Sequence, residues 1–360
     1  MANLPLEILE ALAVLLATML IGIDAARLFR GKEELRKKHY EPKTLIIIPC
    51  KGPDLGLGEN LISIKKQRYP KYDVVAVIDS EDDPAATEIR KAGIKHIISS
   101  VKSARASGKV RAIASALSRF RNYEAYVVAD SDIMVNGSWL SSIVAPLADK
   151  RIGIATTYPH FVPIGGFWSK VKMVWNFVGE NLLENRKSRF AWGGTMAFRK
   201  DLVKDSIHYF VNSRYSVSDD ITLTKICKSK KLGIAYVKEA QPMIRTKDNP
   251  MQFAEWANRQ TALTLLGYPN NFRRGIFFYF SEIFVLISGA YLSATVSPTF
   301  ILLFAHLLTS LKRSYARTRT KDPMIAAIVL LMPFIYLYNL VSARMMKRII
   351  WRGSSYKLVQ

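Results

Sequence analysis

The feature that most limits how this chain can fold is the largely apolar run from Leu4 to Phe29. Its length is close to the ~20 residues that a helix needs to cross ~30 Å of hydrocarbon. Glu7 and Glu10 sit near one end and Asp24 near the other, and Arg27, Arg30, Lys32, Arg36, Lys37 and Lys38 follow. The positive-inside tendency assigns such a basic cluster to the cytoplasm, so residues 1–30 are expected to form an N-terminal transmembrane anchor with the rest of the chain continuing inside. A cleaved signal peptide fits less well, because no basic region precedes the apolar run and no small-residue cleavage site follows it.

Apolar character returns near the other end. Ile276–Ala294 and Ser297–Leu311, joined by a short polar link, predict a transmembrane hairpin over 276–311, with Arg273 and Arg274 at its cytoplasmic entrance. A basic cytoplasmic loop is expected over 312–323, carrying Lys312, Arg313, Arg317, Arg319 and Lys321. The stretch 324–343 is long enough to span again, yet the basic tail 344–360, with Arg344, Lys347, Arg348 and Arg352, also favours the inside. Both ends of one simple span cannot be cytoplasmic. Pro333 leaves open a re-entrant or interfacial element.

The formal net charge of +23 accompanies a 49% hydrophobic composition. That surplus of Lys and Arg points to a polyanionic partner: nucleic acid, anionic lipid or a diphosphate. The basic residues cluster beside apolar segments and no nucleic-acid module is visible, so a membrane is expected and nucleic acid is not. Cys50 and Cys227 are the only cysteines, and their surroundings indicate neither a disulfide framework nor a metal site.

Residues 40–270 read as one cytoplasmic domain of α/β class with a mainly parallel central sheet. Thr44–Ile48, Val74–Ile78 and Ala125–Ala129 are buried-strand runs, with Ile94–Ile98 a shorter one, and Leu61–Gln67, Ala85–Lys91 and Val110–Phe120 fit helices between them. Ligands of such sheets bind beyond the carboxyl ends of the strands. There the sequence is acidic: Asp79-Ser80-Glu81-Asp82-Asp83 follows the second strand and Asp130-Ser131-Asp132 a later one. Either cluster alone could be a solvated, helix-capping turn, but two in one sheet suit a site that holds a hard divalent cation and a nucleotide diphosphate.

The order and spacing of several pieces resemble family 2 glycosyltransferases, and more closely their ceramide glucosyltransferase-like branch. The pieces are Pro49-Cys50-Lys51-Gly52, Tyr69-Pro70-Lys71-Tyr72, the aspartate-rich turn, the Asp-Ser-Asp triplet, Gly193 through Asp201, Asp219-Asp220, and finally Trp351-Arg352-Gly353 with Tyr356. The resemblance implies a GT-A type nucleotide-sugar-binding domain. Asp79, assisted by Asp82 or Asp83, would contact the nucleoside, Lys109 would offer charge to the nucleotide, Asp130 would face the ribose, and Asp132 would ligate Mg2+ or Mn2+. Asp220 would be the catalytic base. From residue type alone Asp220 can equally cap the following helix, a role Asp219 could take instead; adjacent carboxylates raise one another's pKa, which suits a base near neutral pH.

The family's Gln/Arg-x-x-Arg-Trp motif is altered here to Trp256-Ala257-Asn258-Arg259-Gln260. Arg259 could still hold the donor diphosphate, but the terminal tryptophan is missing and an aromatic stands instead at Trp256. Trp192, Gly193, Gly194 and Thr195, with Asp219 and Trp256, could shape a sugar or acceptor pocket, the glycines permitting close backbone approach. Pro163–Val178 mixes aromatics with lysines as an interfacial helix does. The expected activity is inverting, metal-dependent transfer of a hexose, such as glucose from a UDP-sugar, to a membrane lipid. A polyprenyl-phosphate acceptor, a polysaccharide synthase and an inactive scaffold are the competing readings.

Overall fold

The computed structural model describes residues 4–28 and 40–358. Arg30, Lys32, Arg36, Lys37 and Lys38, which orient the expected anchor, lie outside the described residues. The chain divides into two compact units: residues 1–33, 165–177 and 248–346 form the first, and 34–164, 178–247 and 347–360 the second.

The second unit carries the sheet. Its strands are β1 (Thr44–Pro49), β2 (Tyr72–Ile78), β3 (Lys95–Ile98), β4 (Ala125–Ala129), β5 (Ile152–Thr156), β6 (His160–Pro163), β7 (Thr195–Arg199), β8 (Gly233–Tyr236), β9 (Met243–Thr246), β10 (Arg348–Trp351) and β11 (Ser354–Lys357). Seven of them form a sheet in the order β3-β2-β1-β4-β7-β5-β8. β1 runs parallel to β2 and β4, and β5 to β8, while β7 lies antiparallel to β4 and β5, so the sheet is mainly parallel as expected. Ile46, Ile47, Ile48, Val127, Val128 and Ala129 are wholly buried, the continuous apolar pattern of strands covered on both faces. Helices Leu57–Lys65, Ala85–Lys91 and Gly108–Arg119 occupy the expected connections. The parallel pairs align β1, β2 and β4, which brings the loops after Pro49, Ile78 and Ala129 to one edge.

The first unit is helical. Among the described residues, three helices are long and apolar enough to cross a membrane: Pro5–Arg27, Asn271–Thr295 and Met324–Met345. Ala13, Ala17 and Leu20 of the first pack with Val285, Leu292 and Leu303. The stretch 297–311, read as the hairpin's second arm, divides into a 3-10 segment Pro298–Phe304, capped by the Ser297 hydroxyl accepting from Thr299 N, and the helix Ala305–Thr318. The basic stretch 312–323 is therefore helical as far as Thr318, rather than a loop throughout. Met324–Met345 is one continuous helix with Pro333 inside it.

Asp24, Asp248 and Asp322 of this unit are matched by cations. Asp24 accepts from Arg27 at 3.1 Å and from Thr309, and pairs with Arg313. In the helix Phe167–Trp175, Lys170 pairs with Asp322 at 2.6 Å and Lys172 with Asp248 at 2.9 Å. The lysines expected to face lipid headgroups thus meet carboxylates of their own unit.

Candidate active site

The site is built from loops at the carboxyl ends of the strands. Asp79 follows β2, is exposed, and pairs with Lys51 Nζ at 3.1 Å. Asp83 is occupied structurally, accepting from the amides of Gly52 at 2.8 Å and Ala85 at 2.9 Å. Asp130 and Asp132 follow β4. Asp54, beyond β1, joins them through Ser131, whose hydroxyl donates to Asp54 Oδ2, while Asn60 Nδ2 holds the Ser131 carbonyl at 3.1 Å.

Lys109 is the centre of the cluster. It stands at the start of Gly108–Arg119, a helix capped by the Ser107 hydroxyl, which accepts from Val110 N. Its Nζ reaches Asp130 Oδ1 at 2.7 Å, Asp219 Oδ2 at 3.2 Å and the Gly193 carbonyl at 3.1 Å. Burial works against the charge on Lys109, but Asp130 and Asp219 outweigh it and raise the amine's pKa. Burial also raises the pKa of Asp130, which the ion pair with Lys109 only partly offsets. Lys109 therefore acts as an internal tie more than as a free cation.

Asp219 and Asp220 open the helix Asp219–Ser229. The cap residue is Ser218, accepting from Ile221 N at 3.3 Å, and Asp220 shares that amide. Asp219 turns to Lys109. Asp220 Oδ1 accepts from Ile221 N at 2.7 Å and from the Ser218 hydroxyl, leaving Oδ2 without a hydrogen-bond partner. Burial and the adjacent Asp219 carboxylate push Asp220 up to about 6.

The glycine pair is tight for reasons internal to the protein. A methyl group on Gly193 would lie 2.9 Å from both Asp219 Oδ2 and Lys109 Nζ, and one on Gly194 would lie 2.2 Å from the ring of Trp192. Trp192 is half-buried, edge-on to Tyr158 at 5.8 Å. Thr195 opens β7 with its hydroxyl buried and donating to the Gly194 carbonyl at 2.7 Å. Tyr158, whose phenol is raised by burial and by Asp220, extends this aromatic wall beside the helix start.

Arg259 and Trp256 belong to the first unit, on the helix Pro250–Gly267. There Trp256 meets Trp175 edge-on at 4.9 Å and lies 4.8 Å from Lys172 Nζ. The second unit thus gathers Asp79, Lys109, Asp130, Asp132, Trp192, Gly193, Gly194, Thr195, Asp219 and Asp220; it adds Lys51, Arg352 and Tyr356, which the sequence named among the pieces of the resemblance without giving them a role, and Asp54 and Tyr158, which it did not single out. Asp54 lies in the loop after β1, farther from its strand end than Asp79 is from that of β2, so the strand-end rule points to its loop without singling it out.

A cation fits here on the chemistry of the donors. Asp132 Oδ1 is buried with no hydrogen-bond partner, and burial together with Asp130 and Asp54 pushes its carboxyl up to about 7. A carboxylate so placed has affinity for positive charge that the protein leaves unmet. Among the described residues no group of three or more His, Cys, Asp or Glu forms a complete cage. A hard cation bound by one or two carboxylates and by substrate phosphates does not need one.

Residues 9–360 match the family described as glycosyl transferase family 21. Among solved structures, the mannosyltransferase PcManGT from Pyrobaculum calidifontis, determined with GDP-Man and Mn2+, superposes with a TM-score of 0.58 at 17% identity, over 93% of this chain and 97% of that one. Glucosyl-3-phosphoglycerate synthase from Mycobacterium tuberculosis, in complex with phosphoglyceric acid, gives a TM-score of 0.43 at 14% identity, over 63% and 80% of the two chains. The fold is the expected GT-A type.

Proposed function

The chain belongs to glycosyl transferase family 21, and from that premise we propose that this nucleotide-sugar glycosyltransferase inverts the anomeric centre as it moves a hexose to a membrane lipid. The observation that carries the reading is Lys109, which ties Asp130 at the end of β4 to Asp219 at the start of the helix bearing Asp220. Donor carboxylates and candidate base are thereby fixed in one cluster, which is the preorganisation a displacement needs.

In this mechanism Asp79 accepts from the nucleoside and Asp130 from the ribose. Asp132, aided by Asp130, would hold Mg2+ or Mn2+, which when bound supplies charge to the leaving diphosphate. Asp220 Oδ2 takes the proton of the acceptor hydroxyl as its oxygen bonds to the anomeric carbon and the bond from that carbon to the diphosphate breaks. A carboxylate near pH 6 is ionised at neutral pH yet basic enough to assist. Trp192 and Tyr158 offer the face against which a sugar ring can rest. The resemblance gives Arg259 for the donor diphosphate and Trp256 for the acceptor pocket, both on the helix Pro250–Gly267.

Membrane helices favour a lipid acceptor over a soluble one, and a polyprenyl phosphate remains the alternative. Membranes containing the protein, incubated with a panel of radiolabelled nucleotide sugars, should yield label in organic extracts. Label recovered only in water-soluble product would reject the lipid acceptor.

Residues 40–270 are placed in the cytoplasm. The hairpin β10–β11 belongs to the same unit as β1–β9, so the helices between them cross the bilayer an even number of times and the basic tail shares the catalytic side. Protease applied to sealed, right-side-out cells should spare this unit, and cleavage within it would reverse the assignment.

A further inference from the structure

The basic tail is a folded part of the second unit. β10 and β11 pair antiparallel around Arg352-Gly353, whose φ values of 50° and 74° are the left-handed pair of a two-residue hairpin turn. Glycine adopts that conformation freely, whereas arginine does so under strain. The turn delivers the Arg352 guanidinium to the Lys51 carbonyl at 2.6 Å and to Asp54. Tyr356 accepts from the amide of Gly108 at 3.2 Å. A methyl group on Gly108 would stand 3.9 Å from Asp79 Oδ2 and from the Tyr356 hydroxyl alike, so the hairpin reaches both ends of the donor site.

Four carboxylates, Asp54, Asp130, Asp132 and Asp219, face two cations here, Lys109 and Arg352. Lys109 is fully engaged, with its side chain 10% exposed, whereas that of Arg352 is 37% exposed. Asp132 and Asp130 also favour the charge on Arg352, after Asp54. A divalent cation arriving at Asp132 reduces the cluster's demand for Arg352, and a diphosphate arriving with it creates a new demand that a planar guanidinium fork meets well.

Resting on the nucleotide-sugar reading above, we propose that Arg352 is a donor-binding residue. In the free protein its guanidinium serves as counter-charge to Asp54 and its acidic neighbours, and on loading it transfers to the donor's diphosphate.

The test uses the full chain in detergent, with Mn2+ binding followed by electron paramagnetic resonance and nucleotide binding by calorimetry in saturating Mn2+. The probes are UDP, GDP, ADP, CDP and dTDP, with the monophosphate of whichever binds. Arg352→Gln should weaken diphosphate binding by on the order of 10-fold or more and affect the monophosphate less. It should also tighten Mn2+ binding in the absence of nucleotide, because a competing cation has gone. Unchanged diphosphate affinity would overturn the proposal, and so would weaker binding of Mn2+ alone, which would make Arg352 a strut for the carboxylates. Should Arg352→Gln not fold, Arg352→Lys carries the test: severalfold loss of diphosphate affinity supports the proposal and wild-type affinity overturns it. Wild-type protein that binds none of the five diphosphates would overturn the donor reading itself.

Discussion

Both units bury charge, but they balance it differently. In the helical unit Asp24 meets Arg27 and Arg313, Asp248 meets Lys172, and Asp322 meets Lys170. In the sheet unit Asp132 Oδ1 is buried without a partner and Asp220 Oδ2 has none. Matched charge on the helices and the loops between them joins elements to one another. Unmatched carboxylate at the edge of a sheet is a cost to the fold, which substrate or cation removes on binding.

The sharpest way to break this comparison is Asp132→Ala, which should lower turnover by on the order of 10³-fold without lowering the melting temperature. An active variant, or wild-type activity in excess chelator, would refute the metal-dependent mechanism. The converse change belongs to the helical unit. Asp24→Ala strands Arg27 and Arg313 and should destabilise the solubilised protein by about 3 kcal/mol, with nucleoside diphosphate affinity of the folded fraction preserved. A melting temperature equal to wild type would show that the Asp24 cluster is not structural.

Asp220→Asn keeps the shape of the helix start, which Ser218 caps, while removing basicity. Transfer should drop by on the order of 10²-fold with donor binding retained, and near-normal transfer would eliminate Asp220 as the base. The smallest effect follows from the same group's pH dependence. Because Asp220 is raised to about 6 in the folded protein, wild-type kcat/KM should climb through that pH and then level, and the variant should lose this limb. Stability runs the other way. A carboxyl with a raised folded pKa contributes fully below its unfolded value near ~4 and loses that contribution as pH rises through about 6. Asp220→Asn should therefore melt a few degrees above wild type at pH 8 and alongside it at pH 4; a lower melting temperature at pH 8 would contradict the assigned shift.

What was legible in the sequence was local. Thr44–Ile48 and Ala125–Ala129 announce buried strands because β-branched and small apolar residues run on without alternation. The strand-end rule then located Asp79, Asp130 and Asp132. Ser297-Pro298 could have signalled the break that turns the expected hairpin arm into a 3-10 segment, since proline favours a first turn and ends what precedes it. Asp54 after Pro53 reads as an ordinary turn. Its partner Arg352 is 298 residues away, beyond the reach of any periodicity. Lys109 was identified by position, but its engagement with Asp219 depends on the close approach that Gly193 allows, which only the fold reveals.

The sheet unit is interrupted: residues 248–346 are made after most of it and before its final hairpin. On a ribosome, Asp54 emerges 298 residues before Arg352, and the two apolar helices Asn271–Thr295 and Met324–Met345 emerge in the interval. A chain that stalls within that interval has its strands and its acidic loops but lacks the guanidinium that balances them and the tyrosine that holds Gly108. The hairpin that completes the sheet unit is therefore made after the helices that would enter the bilayer. On the proposed reading, a nascent chain would not carry Arg352 and Tyr356 beside its acidic loops until both of those helices have been made.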